Sequence, residues 1–306
     1  MNEPKVAAIV LNYNGKELTL PAIASLRKMS YAHFEILHVD NGSSDGSFEA
    51  VAEAHPEVVQ VRVEENRGVV HGINRGLEVA LERGCGYVLV LNNDIEAEAS
   101  MLTELVRVAE GDPTIGCVGP KIYYYWERQL LWSTGGIIRF KESITRERGM
   151  GERDRGQYDR DEEVPYVSGC AMLARRAVVE EIGLWDPLFH LAVDDADWCM
   201  RMKQQGYRCF YAHRAVLWHK VAATVGGYRA SRTFYNGRSA AIFVRRYGGL
   251  REWCTFLLFI TAALPLAFLR ELPKGNQGAV LAKLRGVVAG LRVPLTPPPQ
   301  VAAAGR

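Results

Sequence analysis

Four times in the first 110 residues, a short apolar run gives way to polar residues and then to a stretch of helical spacing. The runs Val6–Leu11, Phe34–Val39, Val58–Val63 and Tyr87–Leu91 predict strands. Helical spacing fills Leu18–Lys28, Ser47–Ala54, Val69–Arg83 and Ala99–Ala109. The unbroken hydrophobicity of Tyr87-Val88-Leu89-Val90-Leu91 marks a strand buried on both faces. Alternating strands and helices predict an α/β fold, with a mostly parallel central sheet and helices on both faces. Each strand stops on polar residues: Asn12-Tyr13-Asn14, Asp40-Asn41-Gly42, Glu64-Glu65-Asn66 and Asn92-Asn93-Asp94. Parallel strands bring all four endings to one sheet edge, where open α/β sheets bind ligands.

Beyond Cys117 the pattern loosens. Tyr123-Tyr124-Tyr125-Trp126 is aromatic, and Arg139 to Glu163 is dense in charge of both signs, which predicts a partly mobile, solvated excursion. A second structured part follows, with a strand over Tyr166–Ala174, a helix over Asp194–Gln205, and short strands at Tyr207–Tyr211 and Val216–Trp218. In the tail, Trp253–Leu269 is 17 residues without a charge, flanked by Arg251 and Arg270 and containing Pro265. That is at the short end for a membrane span. An amphipathic stretch, Val280–Leu291, carries Lys283 and Arg285, with Arg292 just after it. The preferred reading is an interfacial or re-entrant membrane-contacting segment, with a core helix or a true span as alternatives. Pro294–Arg306 reads as a disordered end.

Composition bounds this picture. A chain of 306 residues with 48% hydrophobic and 24% charged residues is globular, with one large domain or two intimate ones. The net charge of +2 divides into −8 over the first 220 residues and +10 over the rest. An acidic body with a basic tail argues against a general nucleic-acid binder and suits a tail facing an anionic surface. The six cysteines form no C-x-x-C pair and mostly lie in apolar runs, so reduced, buried thiols of a cytosolic protein are expected. The first strand begins at Val6 with no basic and apolar leader ahead of it, so no secretory signal is expected.

Three clusters could carry chemistry. Asp40-Asn41-Gly42-Ser43-Ser44-Asp45-Gly46-Ser47 reads as a turn and helix cap through Asp45 or Ser47, or places Asp40 to accept a hydrogen bond from a nucleobase or ribose. Glu65 to Gly76 sets glycines and amides at a helix entrance, a tight turn that also suits phosphate. No G-x-G-x-x-G follows the first strand, so this is not a dinucleotide fingerprint. Nor is there the Gly-rich basic loop of sugar nucleotidyltransferases. Asp194-Asp195-Ala196-Asp197 either complements a helix dipole or supplies a general base whose pKa its neighbours raise. His219, at the end of a short apolar strand, is structural if alone and a metal ligand if Asp94 lies nearby.

In this order, these pieces resemble the family 2 glycosyltransferases. The resemblance runs through Ile9-Val10-Leu11-Asn12-Tyr13-Asn14-Gly15, Val39 to Gly46, Asn66-Arg67-Gly68 with Asn74-Arg75-Gly76, and Leu91-Asn92-Asn93-Asp94. It continues through Ser168-Gly169-Cys170-Ala171-Met172, Gly183-Leu184-Trp185-Asp186, Asp194 to Asp197 with Arg201, and His219, covering roughly residues 5 to 240. Among them it is most similar to bacterial rhamnosyltransferase-like members. It implies a GT-A fold over residues 1–240, with a nucleotide-sugar-binding half (1–116) and an acceptor and catalytic half (117–240). Residues 241–306 are then a basic, apolar helical tail at the inner face of the cell membrane.

By that resemblance, Asn12, Tyr13 and Asn14 with Asp40 and Asn41 hold the nucleoside, and Asn66, Gly68 and Asn74 line the donor pocket. Asn92, Asn93, Gly169 and Asp194 complete the substrate site. Asp94 and His219 hold Mg²⁺ or Mn²⁺, and Asp195 is the catalytic base. Asn92 stands in place of the first acid of a D-x-D motif, and Asp194 where glutamate is usual. Ser239, in Tyr235-Asn236-Gly237-Arg238-Ser239, stands where this branch often has asparagine. The lack of a Q-x-x-R-W after the acidic cluster argues against a processive synthase. The implied reaction is inverting, non-processive transfer of a deoxyhexose such as rhamnose from a dTDP- or UDP-sugar. The acceptor is a hydroxyl of a glycan or polyprenyl-linked molecule in cell-surface polysaccharide assembly. Alternatives are transfer of another hexose or N-acetylhexosamine, or a non-catalytic sugar-nucleotide-binding scaffold.

Overall fold

The computed structural model describes residues 3–140, 144–221 and 230–301. The first part alternates as its hydrophobic pattern requires: β1 (Val6–Asn12), α1 (Lys16–Leu26), β2 (Phe34–Asn41), α2 (Ser47–Ala54), β3 (Val59–Val63), α3 (Val69–Glu82), β4 (Tyr87–Asn92), β5 (Ile95–Ala97) and α4 (Met101–Glu110). The second part is richer in strands: β6 (Ile115–Tyr124), β7 (Leu131–Ser133), β8 (Gly136–Ile138), β9 (Thr145–Glu147), β10 (Glu162–Glu163) and β11 (Ala171–Arg175). Then come α5 (Arg176–Ile182), α6 (Asp194–Gln204) and β12 (Arg208–His219), followed by α7 (Ala230–Tyr247), α8 (Leu250–Glu271) and α9 (Gln277–Arg292).

The main sheet has the order β10-β12-β6-β11-β4-β1-β2-β3, with β5 on β12 and β7 on β6. β3, β2, β1 and β4 are mutually parallel, so Asn12, Asp40 and Asn92 end at one edge. Apolar side chains from both faces of this block are sealed under helices. Ile9 and Val90 pack toward α3, and Val10 and Leu89 toward α1 and α4. Beyond β4 the sheet is mixed. β11 runs antiparallel to β4, with Ala171 opposite Leu91. That reversal delivers Gly169 and Cys170 to the polar edge, which a parallel strand would enter from its far end.

Several expectations need correction. Tyr166 to Gly169 precede the strand, which starts at Ala171. The two short strands expected around Tyr207–Trp218 are one, β12, whose register against β6 shifts between Ala212 and Val216. The expected solvated excursion is largely built. β8 and β9 form a hairpin, buried Lys121 pairs with Asp154 (2.9 Å) and with Asp159, and Arg148 pairs with Glu162 (2.8 Å). Residues 141–143 of that excursion lie outside the described residues. Five cysteines are buried, while Cys254 is exposed.

The tail divides into a docked part and a projecting one. α7 and α9 pack backbone to backbone through glycines. A Cβ on Gly286 would sit 2.0 Å from the Phe234 carbonyl oxygen, and one on Gly237 2.3 Å from that of Lys283. Arg246 of α7 reaches between two buried carboxylates, at 2.7 Å from both Asp186 and Asp197. Arg201 and the Tyr247 hydroxyl complete the shell of Asp197, at 3.1 and 2.7 Å. A buried charge group of this kind is tolerable only when every member is paired. The expected disordered end is docked as far as Val301, because the Leu184 N–H donates to the Pro299 carbonyl (2.9 Å). Residues 302–306 lie outside the described residues.

α8 is the projecting part. Its 22 residues span about 33 Å, and among them only Phe256 and Glu271 are buried. Among the described residues it is the one helix long and apolar enough to cross a membrane. Its exposed leucines, such as Leu258 (65%) and Leu266 (67%), rule out the core-helix alternative.

Candidate active site

The polar ends of β1, β2 and β4 first serve one another. Asn12, fully buried, donates from Nδ2 to Asp40 (3.1 Å) and Ser47 (2.7 Å). Its Oδ1 accepts from the Gly15 N–H (3.1 Å), the Thr19 hydroxyl (2.9 Å) and Asn93 (3.0 Å). Asp40, equally buried, also accepts from the Ser43 N–H (2.9 Å) and the Ser47 hydroxyl (3.3 Å). This closed network sets the loops after β1 and β2. Asn14, left-handed at φ 48°, joins it through its N–H, which donates to the Ser43 hydroxyl (2.9 Å), and its side chain accepts from the Ser44 N–H (2.8 Å). The cap of α2 is Gly46, while Asp45 accepts from the N–H groups of Ser47 and Lys16, both at 3.0 Å. Asn74 is away from the edge, with both side-chain atoms on the Trp185 backbone at 2.8 and 2.9 Å.

Beside this network opens a cleft of about 720 Å³. One wall is Tyr13, Asn41, Asn66 and Gly68. The Asn41 amide bridges Asn66 and the Gly68 carbonyl, both at 3.1 Å, fixing the loop ahead of α3. Gly68 has φ 98°, and a Cβ there would lie 2.6 Å from the His190 ring. His190 faces Gly68 from the opposite wall and stacks on Tyr235 at 4.4 Å. Burial and the nearby Arg238 charge lower its pKa.

The floor is Asn92, Asn93, Asp94 and His219. β5 pairs with the end of β12, setting His219 opposite Ile95 and its Nε2 3.0 Å from Asp94 Oδ1. Trp132 meets the imidazole edge-on at 4.6 Å. His219 Nδ1 is buried without a partner among the described residues. A carboxylate oxygen and an imidazole nitrogen suit Mg²⁺ or Mn²⁺. The two groups face one another at 3.0 Å on the cleft floor, so they would be the residues to hold such an ion.

The acid cluster at α6 adjoins this floor. The Asn92 N–H donates to the Cys170 carbonyl (3.0 Å), and the neighbouring Gly169 N–H donates to Asp195 Oδ2 (2.9 Å). Asp195 Oδ1 accepts from the Ala196 N–H (2.7 Å), and Asp194 Oδ1 from the Asp195 N–H (3.2 Å). Asp194 is shifted upward by burial and by the charge of Asp195. Burial raises Asp195 as well, with the Gly169 N–H opposing and the Glu147 charge adding.

Sequence reasoning did not single out Glu147, His190 or Arg232. Glu147, on β9, accepts from the Tyr166 hydroxyl (2.8 Å) and from Ser133, and burial raises its pKa to about 7. Its signal was hidden in the charge-dense stretch. His190 follows Gly183-Leu184-Trp185-Asp186 closely enough that proximity to that motif could have flagged it. Arg232, near the start of α7, lines the cleft without any local pattern.

Known proteins resemble this chain in sequence and fold. A family model, Glycosyl transferase family 2, matches residues 7–183. The poly-beta-1,6-N-acetyl-D-glucosamine synthase of Staphylococcus aureus is 23% identical over 252 residues, which cover 81% of this chain and 58% of the synthase. The chain thus spans little more than half of that relative. The N-acetylglucosaminyl-diphospho-decaprenol L-rhamnosyltransferase of Mycobacterium tuberculosis is 25% identical over 239 residues, covering 72% of this chain and 78% of that enzyme. Among solved structures, the mannosyltransferase PcManGT from Pyrobaculum calidifontis, in complex with GDP-Man and Mn²⁺, superposes with a TM-score of 0.58 at 18% identity, over 94% of this chain and 88% of that one. GalNAc-T7 with UDP, GalNAc and Mn²⁺ gives 0.64 at 15% identity, over 85% and 56%. These likenesses establish the GT-A fold. With the family model matched over more than half of its residues, the chain belongs to glycosyl transferase family 2.

Proposed function

We propose that the protein transfers a sugar from a nucleotide diphosphate sugar to an acceptor hydroxyl, with inversion and without processivity. The observation that carries this reading is one shared edge: the Asp94–His219 pair lies beside the Gly169 loop that holds Asp195. Tyr13, Asn41, Asn66 and Gly68 take the donor along the cleft wall, and Asn12, Asp40 and Asn93 hold that wall in shape. Asp94 and His219 hold Mg²⁺ or Mn²⁺, which when bound neutralises charge on the leaving nucleoside diphosphate. Asp195 takes the proton of the acceptor hydroxyl as its oxygen attacks the anomeric carbon. Raised proton affinity suits it to that work near neutral pH. Burial, with the Glu147 charge adding to it, keeps the affinity high, and the Gly169 N–H aims the carboxylate.

The donor we favour is a deoxyhexose nucleotide such as dTDP-rhamnose, supported by the mycobacterial rhamnosyltransferase, most of whose length this chain covers. The staphylococcal synthase supports an N-acetylhexosamine as the competing donor. A dTDP- and UDP-sugar panel, scored by thermal shift with and without Mn²⁺, tests both, because a ligand of the native state raises its stability. Stabilisation by dTDP-rhamnose with Mn²⁺ is expected. A flat panel would overturn the donor-site reading.

A lipid-linked acceptor at the inner face of the cell membrane completes the proposal. α8 exposes Leu257, Leu258, Leu266 and Leu269, and α9 adds a stripe at Leu281, Leu284, Val288 and Leu291. The spacing of that stripe puts it along one face of α9. With the basic residues around it, this surface suits an anionic bilayer interface. The double variant Leu258→Glu, Leu266→Glu should lose flotation with anionic vesicles. Unchanged flotation would sink the membrane assignment.

A further inference from the structure

The hairpin between β6 and β7 has no part in the donor site, yet it is built beside it. The Tyr125 N–H donates to the His219 carbonyl (2.9 Å), so the hairpin leaves the sheet at the metal-holding edge. Its next residue, Trp126, is 79% exposed, the most exposed aromatic side chain among the described residues. A single exposed indole is ordinary on a protein surface, and here it gains meaning from its neighbours. The Tyr125 ring meets Trp126 edge-on at 4.7 Å and 85°. The Arg128 guanidinium and the Lys220 ammonium each lie 5.1 Å from the Tyr125 ring centre. Arg128 also covers Trp218 at 4.6 Å and is held by Glu96 at 2.8 Å. The two cations thus brace the Tyr125 ring, which the Trp126 ring meets edge-on.

Arg128 links this platform to a second cavity, of about 410 Å³. Lys121, Gln129, Asp154, Arg155 and Asp159 line it with it. That volume lies within the range of about 300–1,000 Å³ common for small-ligand sites. The lining mixes donors and acceptors and offers no leucine, isoleucine or valine. Arg155 has no ion-pair partner among the described residues. A polyhydroxylated ring uses such a surface twice, stacking its apolar C–H face on an indole and hydrogen-bonding at its rim. A lipid chain would use only the first, and α8 and α9 already offer a larger apolar face elsewhere.

We infer that Trp126, with Tyr125 and Arg128 behind it and the Lys121–Arg155 cavity beside it, is a saccharide-binding platform for the acceptor glycan. This rests on the glycosyltransferase reading of the adjoining cleft. The platform holds sugar units of the acceptor away from the reacting hydroxyl, so it sets acceptor affinity and leaves donor binding alone.

The test is an array of bacterial surface oligosaccharides probed with the labelled full chain, next to thermal shift with UDP or dTDP and Mn²⁺. The wild type should retain at least one saccharide class. Trp126→Ala should weaken that binding by about tenfold, Trp126→Phe should restore most of it, and neither should alter the nucleotide shift. Equal retention by wild type and Trp126→Ala overturns the platform, as does an empty array beside an intact nucleotide shift. Loss of flotation with anionic vesicles in Trp126→Ala, with saccharide binding unchanged, reassigns the indole to the membrane and also overturns it. A missing nucleotide shift in the wild type strikes the donor-site reading itself and takes the platform with it.

Discussion

The two sides of the sheet edge use polar residues in opposite ways. On the β1–β2 side, Asn12 and Asp40 are completely buried and bond to one another and to the loops around them. On the β5–β12 side, Asp94 and His219 have each other, and His219 Nδ1 has no partner among the described residues. Asp195 sits between, held by two N–H groups and shifted toward its protonated form by burial. The first side is a frame and the second keeps unmet bonding capacity. Density of conspicuous sequence therefore does not locate the chemistry. Incomplete satisfaction at the cleft floor is the better guide, although buried atoms without partners also occur away from it, as at His38 Nε2 and the Tyr211 hydroxyl.

The sharpest way to break that contrast is to substitute on each side and read activity and stability separately. Asp195→Asn keeps shape and removes the base, so turnover should fall roughly 10²–10⁴-fold with a folded protein by circular dichroism. Near-normal turnover would remove Asp195 from its role. Asp40→Ala should behave in the reverse sense. It takes the acceptor from the Ser43 N–H and the Ser47 hydroxyl, while Asn12 keeps its bond to Ser47, so urea unfolding should show a loss of roughly 1–3 kcal/mol per stranded group. Unchanged stability would mean that the network is not a frame. Asn74→Ala strands the Trp185 backbone instead and should cost roughly 1–3 kcal/mol. Its remaining folded fraction should keep normal donor affinity, and a donor-specific loss would return Asn74 to the cleft.

The smallest effect is on pH dependence. The raised proton affinity of Asp195 predicts an acid limb in kcat/KM above the ordinary carboxylate range. Glu147→Gln removes a neighbouring negative charge and should move that limb down by about one pH unit or less. Stability gives an independent reading. Glu147 has its pKa raised from 4.5 to about 7, so between those values the native state holds more protons than the unfolded chain. Stability should then fall as pH rises through that window, and Glu147→Gln should flatten the slope. An acid limb that does not move would separate Glu147 from the base.

The sequence made the frame legible and the reactive side only in part. Elements β1 to β4 and helices α1 to α4 lie within two residues of their hydrophobic pattern, because buried parallel strands and amphipathic helices are both locally periodic, while the three-residue β5 has no such signal. β12 was broken in two because the polar His213 and Arg214 interrupt the apolar run where its register shifts. The Arg139–Glu163 stretch looked solvated because its charges are balanced by distant partners, as Lys121 is for Asp154 and Asp159. The position of Asn74 rests on Trp185, 111 residues away, which no local pattern encodes. His190 reaches the cleft only because Gly68 lacks a side chain opposite it.

The charge group under α7 decides where this chain can be cut. Arg246 lies beyond the boundary at residue 240 implied by the family resemblance, yet it neutralises Asp186 and Asp197 inside the body of the fold. Asp197 is on the same helix as Asp195, two residues along. Removing everything after residue 240 would leave two buried carboxylates with Arg201 as their remaining cation, and would uncover the Leu184 N–H that Pro299 occupies. A truncated enzyme without its tail is therefore expected to misfold, not merely to detach. Only α8 stands far enough from this seam to be re-engineered, so a soluble version calls for a redesigned α8 surface within an unbroken chain.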